Sequence, residues 1–126
     1  MKHRLFDASA LINCVWLGKA AELVGHYSVE LVKFEVGNYV WKRRDSMRHE
    51  DCLTVFEKLQ ALIALMKTAP VNFSDALSLA ISENITFYDA VYLQAAVQNG
   101  LDLVTDDSKL FETAKKYVRV LRSEEI

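Results

Sequence analysis

The sequence predicts an α/β fold with a mostly parallel sheet and helices on both its faces, and three observations predict it. Short apolar runs alternate with longer stretches of helical periodicity along the whole chain, the pattern of repeated strand–helix units. One proline and four glycines in 126 residues leave long helices few interruptions. Four acids far apart in the chain, Asp7, Glu35, Asp89 and Asp107, each fall where an element would carry them to one end of the sheet. Open parallel sheets hold their sites at the carboxyl ends of the strands.

Element by element, Arg4-Leu5-Phe6 reads as a buried strand running into a helix from Ala8, with Asp7 or Ser9 placed to accept from free first-turn amides. A second helix is expected over Leu17 to Val24, ending near Gly25, and a short strand over Ser28 to Glu30. From Leu31 to Arg44 the apolar residues recur at helical spacing. Leu31, Phe34 and Trp41 form one side, and Val32, Val36, Tyr39 and Val40 widen it. Glu35 and Asn38, three apart, share a face, and Gly37 costs this helix about 1 kcal/mol against alanine. Arg48 to Met66 carries the clearest helical repeat, stopped by Pro70, with a strand expected over Val71 to Phe73. Ser74 is expected to cap a helix over Asp75 to Ser82, and Thr86 one over Phe87 to Asn99 that Gly100 stops. Leu101 to Thr105 reads as a strand, Ser108 to Tyr117 as a helix and Val118 to Leu121 as a last strand.

With 52% apolar or aromatic residues and no Gly/Ser/Pro-rich linker, residues 1–126 are expected to form a single domain around an ample core. The net charge of −2 argues against a broadly basic nucleic-acid surface but leaves room for a local one. Cys14 and Cys52 show no metal-type spacing and read as reduced, buried thiols. Asp7 interrupts the N-terminus before a signal-like stretch develops, and Leu59 to Met66 is too short to cross a bilayer, so a cytoplasmic protein without a membrane segment is expected. His3, His26 and His49 lack ligand spacing and read as surface or capping residues. Trp16 and Trp41 are expected to serve core or interface packing in preference to base stacking.

Taken singly, Asp7 and Asp89 suit helix N-termini, and Asp106 and Asp107 suit a turn. Together, four uncompensated carboxylates drawn to neighbouring strand ends, about 5 Å apart, must take up protons or hold a cation. A hard divalent metal on carboxylates is the core of a phosphodiester-cleaving site. The blocks Leu5 to Leu11, Glu35-Val36-Gly37-Asn38, Tyr88 to Ala96 and Leu103-Val104-Thr105-Asp106-Asp107 resemble the four motif blocks of PIN domains, most closely those of VapC-type toxins.

The resemblance implies a three-layer α/β/α sandwich and a Mg²⁺- or Mn²⁺-dependent endoribonuclease that is a homodimer inhibited by a VapB-like antitoxin. It assigns Asp7, Glu35, Asp89 and Asp107 to the acidic site, with Ser9, Asn38 and Thr105 as supporting polar residues. Asp7 and Asp107 are the principal metal ligands on this reading. Asp89 is a second ligand or orients the attacking water, and Glu35 acts through water. The Thr-x-Asp spacing selects Asp107 and leaves Asp106 an auxiliary position. Lys42, Arg43 and Arg44 either line an RNA groove or complement a helix end. Three other functions compete. A phosphoacceptor receiver lacks its mid-chain aspartate and late lysine here. A catalytically silent PIN-like binding module sits poorly with four retained acids. A PIN nuclease of RNA maturation shares the same chemistry. Trp16, Leu17, Leu23, Val24, Phe34, Tyr39 and Trp41 offer apolar surface for a second copy or an antitoxin helix.

Overall fold

A computed structural model describes residues 2–126. Five strands, all parallel, lie in the order β3-β2-β1-β4-β5: β1 Arg4–Phe6, β2 Tyr27–Ser28, β3 Lys67–Thr68, β4 Asp102–Val104 and β5 Val120–Leu121. Six helices connect them: α1 Ala8–Trp16, α2 Leu31–Lys42, α3 His49–Ile63, α4 Phe73–Glu83, α5 Phe87–Asn99 and α6 Ser108–Ala114. Strand alternation sorts the core into two halves. Leu5 and Leu103 point to the side covered by α4, α5 and α6. Phe6 and Val104, their chain neighbours, point to the side of α1, α2 and α3. Both sheet faces are thereby buried, which gives the three layers.

The chain runs outward from β1 to β2 and β3, then crosses to the other side of β1 to form β4 and β5. The strand order therefore reverses at β1/β4, where connections leave in opposite directions and open a crevice beyond the carboxyl ends. Register sets Phe6 beside Val104, so Asp7 and Thr105 follow side by side, tied by the Asp7 amide donating to Val104 O at 3.2 Å. At the opposite end of β4, Asp102 is buried and held by Lys2 Nζ at 3.2 Å and Arg119 Nη1 at 3.6 Å.

Several boundaries differ from expectation. No α-helix spans Leu17 to Val24: α1 runs on to Trp16, Gly18 turns the chain at φ +74°, and only a 3₁₀ turn forms, at Ala20–Leu23. The second strand comes one residue early, at Tyr27–Ser28. The third lies at Lys67–Thr68 instead of Val71 to Phe73, because α3 ends at Ile63 and the chain pairs with β2 before reaching Pro70. Asn72, not Ser74, caps α4, accepting from the Asp75 amide. The α2 stripe that enters the core is Val32, Val36 and Val40, spaced at i,i+4, while Phe34 and Trp41 face outward. Trp16 is exposed as well, at 72%. Helix α6 stops at Ala114, short of Tyr117. Cys14 is buried and Cys52 half-buried, both as free thiols. Among the described residues no helix is long and apolar enough to cross a membrane.

Gly37 sits where α2 crosses α3. A Cβ there would lie 3.3 Å from Phe56 Cε1, so the absent side chain permits close approach of the two helices. Gly37→Val should destabilise the protein by about 1–3 kcal/mol through overpacking, read as a lower urea midpoint. An unchanged midpoint would show that α3 yields freely.

Candidate active site

Asp7 leaves β1 with extended backbone and caps α1. Its Oδ1 accepts from the Ala10 amide at 2.9 Å and from Ser9 Oγ at 2.7 Å, and its Oδ2 accepts from Thr105 Oγ1. The carboxylate is only 5% exposed. Burial, the dominant cause, pushes its pKa up to about 6, and the nearby Asp89 charge adds to the rise; the three donors pull the other way. Asp89 enters from the first turn of α5, where Thr86 Oγ1 accepts from its backbone amide at 3.1 Å. Its pKa is also raised, by burial first and then by the Asp107 and Glu35 charges, with Lys109 opposing. Asp107 caps α6, accepting from the Leu110 amide at 2.8 Å, and its own amide donates to Thr105 Oγ1 at 3.1 Å. Thr105 is thus a hinge pin between two acids: its hydroxyl donates to Asp7 and accepts from Asp107.

Glu35 reaches the same crevice from the middle of α2. There it lines a cleft of about 370 Å³ with Ser9, Asn38, Lys42 and Arg43. Its Oε1 accepts from Tyr92 Oη at 2.6 Å. The four acids named from sequence therefore meet at one end of the sheet, close enough for Asp89 to sense Asp107 and Glu35 and for Asp7 to sense Asp89. Hard oxygen donors with mutual repulsion suit a hard cation. Yet among the described residues no group of three or more acid, histidine or cysteine side chains is arranged to hold a metal ion.

Two sequence-derived residues point elsewhere. The Asp106 carboxylate turns from the acids into a clasp with the chain's last turn. Its Oδ2 accepts from Asn13 Nδ2 at 2.8 Å and Ser123 Oγ at 2.6 Å, and its Oδ1 from the Ser123 amide at 2.9 Å. Only its backbone serves the site, donating to Ser9 Oγ at 3.1 Å. Arg44 lies over the Trp41 ring at 3.9 Å and donates to Trp41 O, away from the cleft. Lys42 and Arg43 stay at the cleft, Arg43 over the Tyr39 ring at 3.6 Å. His26 has a structural role, accepting from the Arg4 amide through Nδ1. Sequence reasoning missed Tyr92 and Lys109. Tyr92 lies three residues after Asp89 on the same helix, a spacing that could have drawn attention to it.

No family model matches the chain. Ribonuclease VapC3 of Pyrobaculum aerophilum is 33% identical over 90 residues, covering 68% of this chain and 69% of that one. Exonuclease VapC9 of the same organism is 28% identical over 123 residues, covering 92% and 89%. Among solved structures, PAE2754 from Pyrobaculum aerophilum superposes with a TM-score of 0.83 at 27% identity, covering 98% of this chain and 92% of that one. FitAcB from Neisseria gonorrhoeae superposes at 0.66 with 17% identity, covering 98% and 99%, and shares the fold.

Because Asp7 has a folded-state pKa above its unfolded value, folded protein holds a proton between about pH 4 and 6 that the unfolded chain has released. The stability this confers is complete below about pH 3.8 and is lost as pH rises through about 6. In EDTA, Asp7→Asn should therefore gain on the wild type as pH rises from 4 to 7, by on the order of 2–3 kcal/mol. Urea unfolding of both proteins across that range measures it. A difference that does not change with pH would mean that Asp7 is ordinarily solvated.

Proposed function

The chain belongs to the VapC family of PIN-domain ribonucleases, and from that premise we propose that it is a divalent-metal-dependent endoribonuclease acting as the toxin of a toxin–antitoxin pair. The observation that carries the reading is Asp7, a carboxylate at the switch point whose burial, with a smaller contribution from the Asp89 charge, raises its pKa. Three donors offset part of the cost of ionising Asp7, and a bound cation would offset more of it.

Mg²⁺ or Mn²⁺ bound there would supply a water of lowered pKa and offset charge growing on the phosphoryl oxygens. On this reading Asp7 and Asp107 are the principal ligands; each has one oxygen accepting from a helix amide, and the other oxygen of Asp7 accepts from Thr105. Asp89 either completes the set or orients the attacking water, and Glu35 acts through water from the α2 side. Ser9 and Thr105 hold Asp7 in place, and Asn38 borders the cleft on α2. Lys42 and Arg43 lie along that cleft, where mobile cations can grip the phosphates on either side of the scissile bond. In-line attack then leaves a 3′-hydroxyl and a 5′-phosphate. The maturation-nuclease reading shares every step of this chemistry and differs only in the RNA.

Two apolar surfaces favour partners. The α1–α2–α3 face opens a groove of about 350 Å³ lined by Ile12, Val15, Trp16, Tyr39, Val55 and Leu59, suited to the apolar face of an antitoxin helix. On α4, Phe73, Leu77 and Ile81 form an exposed i,i+4 stripe, with Ile81 at 74%, beside exposed Phe87 and Tyr88 of α5. A second copy covering that stripe would bury it.

Incubated with linear and circular RNA in Mn²⁺ or Mg²⁺, the protein should cut both, and should lose at least 100-fold in rate with Asp7→Asn or EDTA. Cleavage confined to linear RNA would make it an exonuclease, and no cleavage would favour the silent binding module. Lys42→Ala with Arg43→Ala should raise KM several-fold and leave kcat nearly unchanged. In sedimentation at micromolar concentration, the wild type should run as a dimer and Ile81→Glu as a monomer; a monomeric wild type would remove the homodimer.

A further inference from the structure

Tyr92 has a buried ring and a hydroxyl whose side-chain partner is a site acid. It lies in α5 one turn beyond Asp89, at 2% exposure, and its Oη donates to Glu35 Oε1 at 2.6 Å across the gap between α5 and α2. A short O–H···O⁻ bond of this kind is among the stronger ones, and the rigid ring offers few alternative positions for its hydroxyl. Glu35 itself is half-buried on a helix face that otherwise ends in mobile cations, so a carboxylate without this anchor could swing among rotamers toward Lys42 or open solvent. Resting on the nuclease reading, we infer that Tyr92 is a positioning residue that fixes the Glu35 carboxylate beside Asp89 and thereby sets how tightly the acids hold a divalent cation. The hydroxyl also stays protonated throughout the physiological range: burial, then the Glu35 charge and the bond to it, raise its pKa far above the ordinary tyrosine value. It therefore serves as a permanent donor.

Tyr92→Phe removes one oxygen and keeps the packed ring. It should weaken Mn²⁺ binding, followed as free Mn²⁺ by electron paramagnetic resonance, by 10–100-fold. Against RNA, the rate should fall at Mn²⁺ concentrations that saturate only the wild type and recover when Mn²⁺ is raised 10–100-fold, with KM for RNA within about two-fold. Combining it with Glu35→Gln should cost no more than the larger single loss, because both substitutions break one linkage. Wild-type Mn²⁺ affinity in Tyr92→Phe, or losses that multiply in the double variant, would overturn the assignment. If Tyr92→Phe does not fold, the wild type decides. The Tyr92 hydroxyl proton, followed by NMR, should shift when Mg²⁺ is added, and an unmoved resonance would overturn the assignment. A wild type that binds Mn²⁺ but cuts no RNA would refute the nuclease reading alone, and the affinity comparison would still test Tyr92.

Discussion

Thr105 joins the two halves of the site, and much of the local architecture follows from what that link requires. Its side chain is fully buried, donates to Asp7 and accepts from the Asp107 amide, so one hydroxyl connects the end of β1 to the start of α6. Such a bridge needs β1 and β4 to be neighbours in a register that sets Phe6 beside Val104. That adjacency in turn needs the crossover that reverses strand order, with helices on both faces to bury the strands. A carboxylate placed in this corner loses much of its hydration and regains it from three protein donors, two of them supplied by the α1 turn that it caps. Capping and site building are one arrangement here.

Much of this was legible in the sequence wherever a local rule and the tertiary demand agree. Thr86 and Gly100 bound α5 as their capping chemistry predicts, since cap geometry is set within a few residues. Asp7 was legible as a cap for the same reason, and the strand-end placement of Asp7 and Asp107 followed from the alternation of elements. The misplaced third strand is a different case. Lys67–Thr68 is two exposed residues long, so it carries neither apolar alternation nor length, and only pairing with β2 defines it. Ser74 and Asn72 are both good caps in one short stretch, and sequence alone does not say which residue begins the turn. Asp106 and Asp107 are chemically alike and adjacent. Which one faces the acids is settled by the distant Ser123 and Asn13, which no spacing rule connects to them.

The aromatic residues show where periodicity stops being informative. Phe34 and Trp41 recur at helical spacing, as core residues do, but the valines at i,i+4 take the inward side and leave both rings in solvent. Apolar spacing reports that a face exists; it does not report whether the rest of this chain or another molecule covers it. In this protein the outward apolar residues gather on α1 and α2 and on the α4–α5 pair, and the groove on the first of these shares Ile12 and Tyr39 with the polar cleft.

The sheet's margins bear on how such a molecule can associate at all. Its outermost strands, β3 and β5, are two residues each, and β3 presents the exposed pair Lys67 and Thr68. Strands so brief, one of them charged, offer almost no backbone template for a foreign chain to extend by hydrogen bonding. Edge-to-edge, ribbon-like extension of this sheet is thereby disfavoured, despite the apolar side chains that the helices leave in water.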